Sequence, residues 1–331
     1  MRVKAIHFVI AALHASWASG QPPLDRQFHF AHAQTKQDLE EIATVIRRIG
    51  DISTASVDTT ERVLAVRGSA SQMGLSEWLF HELDKPVNRS AEVTYEYRMS
   101  DGGDDVVRVF YLVHTPTIQH LQEIATLVTV VADIRRLYTY NPPRAVVVRG
   151  TADQIGLAAW LLNELDKPTD RKPSEKPATS EYRLIGGGDD VVRVFYLAHT
   201  ETVRDFQELF TLIRTITDIR QAFAYNAPRA VAVRATASQM AFAEWLFSEL
   251  DKPPDSSKHE YRLAGGGDDV VRIFYLPQAE TVQRLEELLY KVRAATGARR
   301  SFMYSASRVL ALRATAEQVA VADRLIRERD R

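Results

Sequence analysis

Three near-identical strings place two adjacent aspartates behind a glycine run: EYRMSDGGDDVVRVFYLVHT from Glu96, EYRLIGGGDDVVRVFYLAHT from Glu181 and EYRLAGGGDDVVRIFYLPQA from Glu260. The pairs are Asp104 with Asp105, Asp189 with Asp190, and Asp268 with Asp269. Carboxylates are the oxygen donors that calcium takes, but no string supplies the ~6 spaced oxygens and distal bidentate glutamate of a calcium loop. A phosphate-cradling loop needs a lysine and a hydroxyl behind its glycines, and here negative charge sits where the anion would lie. Glycines also supply the positive φ of a hairpin turn, so strand, turn, strand is the simplest reading. Turn and calcium ligand both remain open at this point.

The remaining chemistry is sparse. The sequence holds no HExxH, GxSxG or P-loop motif, and its histidines (His29, His32, His81, His114, His120, His199 and His259) are scattered. His32, His114 and His199 share one position at the end of a strand, where a fourth copy has Gln278, so strand-end hydrogen bonding is expected of them. Arg67, Arg149, Arg234 and Arg313 recur at the end of another strand and suit salt bridges to the repeated acids or contacts at a subunit edge. With no cysteine in the chain, disulfides, thiolate zinc sites and cysteine nucleophiles are excluded. No catalytic residue, metal or cofactor is expected.

Self-similarity explains the recurrence. Segments ending in ELDKP at Pro86, Pro168 and Pro253, and in ERDR at Arg331, superimpose almost without gaps. Phe28, Phe110, Phe195 and Phe274 then coincide at spacings of 82, 85 and 79 residues. Such a period predicts a string of small domains, each with its own core, rather than a two-helix solenoid. The modules run over 27–86, 95–168, 180–253 and 259–331, joined by polar, proline-bearing stretches that include a linker at 169–179.

The third copy shows the elements best. Val191 to His199 predicts a strand with Phe195 and Leu197 on its core side, matched by Phe28 and Phe30 in the first copy. Val203, Phe206, Phe210, Ile213 and Ile216 follow at helical spacing behind a capping Thr202, with Thr35, Thr117 and Thr281 at the same place in the other copies. Two short strands come next, with Phe223 and Tyr225, then Val231 and Val233, expected inward. A last helix over 238–252 stops at the proline of DKP. The fold class is α+β: four tandem βαββα modules, both helices on one face of a small sheet, with an extra N-terminal hairpin strand in modules two to four.

These motifs carry a family resemblance. RVFYLVHTPT with VVVRGTADQIGLAAWLLNELDKP in the second copy, RVFYLAHTET with VAVRATASQMAFAEWLFSELDKP in the third, RIFYLPQAET with LALRATAEQV in the fourth, and RVLAVRGSASQMGLSEWLFHELDKP in the first resemble the periplasmic N-terminal repeat domains of bacterial secretins. The resemblance covers most of residues 27–331 and implies KH-like βαββα modules that pack side by side between subunits into periplasmic rings. Secretins also carry a long β-rich C-terminal channel region; this sequence ends with its fourth module, so a pore is not expected of it alone. KH-like topology also raises RNA binding, which uses a GxxG loop and a basic groove. No GxxG stands there and the formal charge is −1, so nucleic acid is not an expected partner.

The first twenty residues, MRVKAIHFVIAALHASWASG, set Arg2 and Lys4 ahead of an apolar run and end in Ala18 and Gly20, which suits a signal peptide (1–20) cleaved before Gln21. His7 and His14 interrupt the apolar run, leaving an N-terminal helix or anchor as the other reading. No other segment approaches the ~20 apolar residues of a membrane span. An exported chain held by ordinary cores without disulfides fits a periplasm.

Two features predict contact surfaces. On the outer side of the first strand, module one offers Gln27 and His29, whereas module three offers Val192, Val194 and Tyr196, which need cover from a linker, an adjacent module or another subunit. On the closing helix Trp78, Trp160 and Trp245 lie outside the core arc, and the fourth copy has Arg324 there; packing against the following linker or module accounts for the change. With Arg108, Arg193 and Arg272 on the first strand, these residues are the candidate interface. The expected function is a non-enzymatic periplasmic assembly or adaptor protein, with protein partners: itself, or a secretin or pilus component. A periplasmic ligand binder, for cell-wall glycan, is the alternative and would need a polar pocket with aromatic walls between modules.

Overall fold

A computed structural model of the chain describes residues 23–86, 95–100, 104–168, 180–184, 188–252, 259–263 and 269–329. The expected signal peptide, the linker 169–179 and the tips of the three glycine turns lie outside the described residues. The first module is β1 (Leu24–His29), α1 (Lys36–Ile49), β2 (Thr54–Asp58), β3 (Val63–Gly68) and α2 (Ala70–Leu83). The second adds a leading strand: β4 (Tyr95–Arg98), β5 (Asp105–Tyr111), α3 (Ile118–Val131), β6 (Arg136–Tyr140), β7 (Ala145–Thr151) and α4 (Ala152–Leu165). The third repeats it as β8 (Glu181–Arg183), β9 (Asp190–Tyr196), α5 (Val203–Thr217), β10 (Gln221–Tyr225), β11 (Ala230–Thr236) and α6 (Ala237–Leu250). The fourth is β12 (His259–Arg262), β13 (Asp269–Tyr275), α7 (Val282–Thr296), β14 (Arg300–Tyr304), β15 (Val309–Thr315) and α8 (Ala316–Arg329).

The architecture is mixed α+β, with four small antiparallel sheets ordered β1-β3-β2, β4-β5-β7-β6, β8-β9-β11-β10 and β12-β13-β15-β14. Local chemistry starts each helix. Thr35, Thr117, Thr202 and Thr281 cap α1, α3, α5 and α7, each hydroxyl accepting an amide from the first turn. Ser69, Thr151 and Thr236 form reciprocal capping boxes with Gln72, Gln154 and Gln239 at the start of α2, α4 and α6. The cap at Thr236 starts α6 one residue before the predicted 238, and Asp251 ends it ahead of the lysine.

Separate cores are not what forms. The interior of module one continues into Val107, Val109, Tyr140, Ala145 and Val147 of module two. That of module two continues into Val192, Val194, Tyr225, Ala230 and Ala232 of module three, and that of module three into Val271, Ile273, Tyr304, Val309 and Ala311 of module four. Each inner sheet therefore has its own helices on one face and the preceding module's helices on the other, a nearest-neighbour stack. The inward assignment of Phe223 and Tyr225 is corrected by this packing. They pair with Ala232 and Ala230 and face module two, while Ala222 and Ala224 face the helices of module three beside Val231 and Val233. α3 of module two packs against β10, and Phe223 and Tyr225 fill that contact.

Candidate functional site: contacts between modules

The residues singled out for contact lie where consecutive modules meet. Val192 and Val194 are buried, and partly buried Tyr196 joins them against the core of module two. Trp78 lies 5.4 Å from Tyr97, Trp160 5.6 Å from Tyr182 and Trp245 5.1 Å from Tyr261, ring centre to ring centre. All three tyrosines sit on the added hairpin strands, which thus reach back to the preceding module's closing helix. The approach is close: a Cβ on Gly74 or Gly156 would stand 2.8 or 2.9 Å from the hydroxyl of Tyr97 or Tyr182.

Polar contacts repeat with the same period. Tyr111, Tyr196 and Tyr275 donate to the backbone carbonyls of Glu82, Glu164 and Glu249 at 3.0, 2.9 and 2.9 Å. Burial first, and then the Glu82 carboxylate, raises the Tyr111 hydroxyl well above the ordinary phenol range. Lys85, Lys167 and Lys252 hold the three glutamate side chains at 2.5, 2.7 and 2.9 Å. On the first helices Glu41 accepts the Asn141 amide at 2.9 Å, Glu123 the Asn226 amide at 3.0 Å, and Glu208 the Ser305 hydroxyl at 2.6 Å. Arg149 donates to the Ile49 carbonyl at 2.9 Å and Arg313 to that of Ile216 at 3.3 Å, at the ends of α1 and α5.

Repeated charges also pair inside each module. Arg108, Arg193 and Arg272 bond Glu96, Glu181 and Glu260 across adjacent strands, and Arg193 also takes Glu244 at 2.6 Å. Arg149, Arg234 and Arg313 bond Asp105, Asp190 and Asp269 at 2.9, 3.3 and 3.4 Å, which engages the second aspartate of each glycine turn. Gly188, in one of those turns, has φ +72°. Among the described residues no group of three or more acids or histidines converges. The histidine positions close the strand ends: Asp84 accepts the amides of Ala31, His32 and Ala33 at 2.6, 3.0 and 2.7 Å, and His114 and His199 give their amides to Asp166 and Asp251 at 2.9 and 2.8 Å.

Hydrogen bonding to Arg193, then to Arg183, holds the Glu181 carboxyl below its ordinary value. A depressed carboxyl contributes stability that is complete above its unfolded value and is lost as pH falls through the folded one. Glu181→Gln is therefore expected to melt below the wild type near neutrality, and the gap should shrink progressively as pH falls below the ordinary carboxyl range. Thermal melts from neutral to acid pH check this; a gap independent of pH would exclude it.

Several structural residues escaped the sequence reading. Arg62, Arg144, Arg229 and Arg308 adopt positive φ at the turn between the last two strands, and each bonds a carbonyl ahead of the first helix: Ala33, Pro116, Glu201 and Pro277. Their recurrence in all four copies was the available signal. The ends of the stack also carry a pattern. Ten residues after the capping threonine, Val45, Leu127 and Leu212 become Lys291; fourteen after it, Ile49, Val131 and Ile216 become an exposed Ala295. At the opposite end, Val107, Val109 and Tyr111 correspond to exposed Asp25, Gln27 and His29. Surfaces that are apolar inside the stack are polar where it stops.

No family model matches the sequence, and no curated protein matches it. Among solved structures the chain is similar to Aeromonas hydrophila ExeD, at 16% identity over 70% of this chain and 42% of that one, with a TM-score of 0.18. It is similar to the type II secretion system secretin GspD of E. coli K12 at 13% identity over 77% of this chain and 42% of that one, with a TM-score of 0.17. A protein of unknown function from Aeropyrum pernix shares 13% identity over 46% of this chain and 86% of its own, with a TM-score of 0.23. The chain spans less than half of the ExeD and GspD chains, and at these TM-scores the likenesses carry no weight for function.

Proposed function

We propose that the chain is a non-enzymatic, exported docking protein of the periplasm that holds protein partners of a secretion or type IV pilus apparatus at a fixed separation. The observation that carries this is the sharing of each core between one module and the next. A stack tied at every junction by apolar burial, an aromatic pair and hydrogen bonds behaves as one stiff body, which suits spacing and alignment. The faces expected to make contact, Val192, Val194 and Tyr196 with Trp78, Trp160 and Trp245, meet within one chain, and this favours docking of the whole stack over exchange of modules between copies. The link to secretion or pili rests on the motif resemblance alone. Small-angle scattering with in-line light scattering on the exported protein tests the reading: an elongated particle of constant shape is expected, and a flexible string of independent modules would end it.

The glycan-binding alternative has one feature in its favour. A cavity of about 300 Å³ at the junction of modules one and two is lined by Glu82, Lys85, Pro86, Tyr95, Tyr111 and Pro143. Lys85 already lies over the Tyr95 ring, 4.1 Å from its centre, on the surface a sugar would stack against. A rise in melting temperature with soluble cell-wall fragments, lost in Tyr95→Ala, would favour this reading instead.

A further inference from the structure

Modules two, three and four each place a strand beside the first strand of the βαββα unit: β4 on β5, β8 on β9 and β12 on β13. Along β1, on the edge away from β3, no strand lies among the described residues. That edge carries the marks of a missing neighbour. Arg26 holds the position of Arg108, Arg193 and Arg272, and Arg193 has two carboxylates there, Glu181 across the strands and Glu244 from the closing helix. Arg26 has the helix partner, Glu77, and no cross-strand acid; its side chain is 47% exposed, against 23% for Arg193. Leu24 is 46% exposed where its counterpart Val106 is 7% exposed. Opposite Arg108 and Val106, the hairpin strand supplies Glu96 and Arg98.

We propose that the open edge of β1 is a strand-addition site for an extended segment of a partner protein, running antiparallel to β1 with a glutamate opposite Arg26. Two residues further on, an arginine or lysine lays its aliphatic stem over Leu24. This deepens the docking reading, on which it rests, by giving the partner a chemistry: Glu-x-Arg, the pattern that occupies the equivalent edge three times in this chain as Glu-Tyr-Arg. Main-chain hydrogen bonds give such a strand its affinity, and the cross-strand ion pair sets its register. A second copy of β1 fits the edge poorly. The side of β1 that carries Arg26 holds only Leu24, Arg26 and Phe28, so symmetric pairing offers the guanidinium no acid.

The test is a titration of the exported protein with the labelled peptide VTYEYRMS, the chain's own residues 93–100, followed by fluorescence anisotropy. Saturable binding is expected, weakened roughly tenfold or more by Arg26→Glu and regained when the peptide glutamate is changed to arginine. Because Arg26 is half exposed, Arg26→Glu should keep its fold, checked by an unchanged unfolding midpoint, and peptide-induced amide shifts should cluster on β1. Absence of binding at millimolar peptide, binding indifferent to Arg26→Glu, a β1-mediated dimer, or β1 amides already protected in the free exported protein would each overturn the site. The scattering experiment above succeeds or fails independently of all four.

Discussion

Val107→Asp is expected to release module one from the rest of the chain. Val107 has no solvent exposure and packs into the interior of module one, while its counterpart in module one, Asp25, lies in solvent on the first strand. The substitution places a carboxylate against the helices of module one, where the cation across the strands, Arg149, is already engaged by Asp105 and the Ile49 carbonyl and could meet it only by giving up those partners. An uncompensated buried charge costs about 3–5 kcal/mol, and the chain avoids most of that by opening the junction so that the carboxylate can hydrate. Denaturant unfolding, read by tryptophan fluorescence, should divide into an early transition for module one and a later one for modules two to four. Digestion of module one by a trace of protease should accelerate in parallel. Asp25→Asn, the matching change at the exposed counterpart, should stay within about 0.5 kcal/mol of wild type. A single unaltered transition for Val107→Asp would mean that the junction contributes little coupling.

Phe242→Ala should be comparably damaging at the other end of the chain. Phe242 is 2% exposed, and its ring stacks on Tyr261 at 5.0 Å and on Trp245 at 6.3 Å, so it belongs at once to the core of module three and to the junction with module four. Truncating a fully buried phenylalanine removes about 3–5 kcal/mol, the range reflecting how far the surroundings collapse into the space left. Collapse is limited here, because β11 on one side and β12 on the other are fixed by their own ladders. The lowest unfolding transition should move down, and exposed Tyr261 should bring increased dye binding at temperatures where the wild type is fully folded. A loss below about 1 kcal/mol would show that the two modules can close over the gap.

Much of the fold is legible in the sequence because the four copies check one another. Thr35, Thr117, Thr202 and Thr281 recur immediately ahead of a helical period, and a single threonine there would have been ambiguous. The faces of β9 and β11 follow from alternation, and Phe195, Leu197, Val231 and Val233 do line the core of module three. The strand between them was misjudged since size alone suggested that Phe223 and Tyr225 point inward; alternation fixes which residues share a face but not which layer covers it. The same gap explains the expectation of independent cores. Nothing local to Val192 or Trp160 says whether the covering surface lies in the same chain, and only the register of β8 on β9 and the docking of α4 bring Val192 and Tyr182 of module three against module two. Arg62 and its three counterparts were missed because a left-handed arginine at a turn has no compositional signature; glycine or asparagine is the usual occupant.

Every junction joins the helical side of one repeat to the sheet side of the next, so the assembly has a direction, and its two termini cannot substitute for each other. Only a unit with both internal surfaces, such as the second or third, could be duplicated to lengthen the chain by one step. Were reach under selection, gene-level copying of an interior unit would provide it without inventing a new surface, while the first and last units would have to stay where they are.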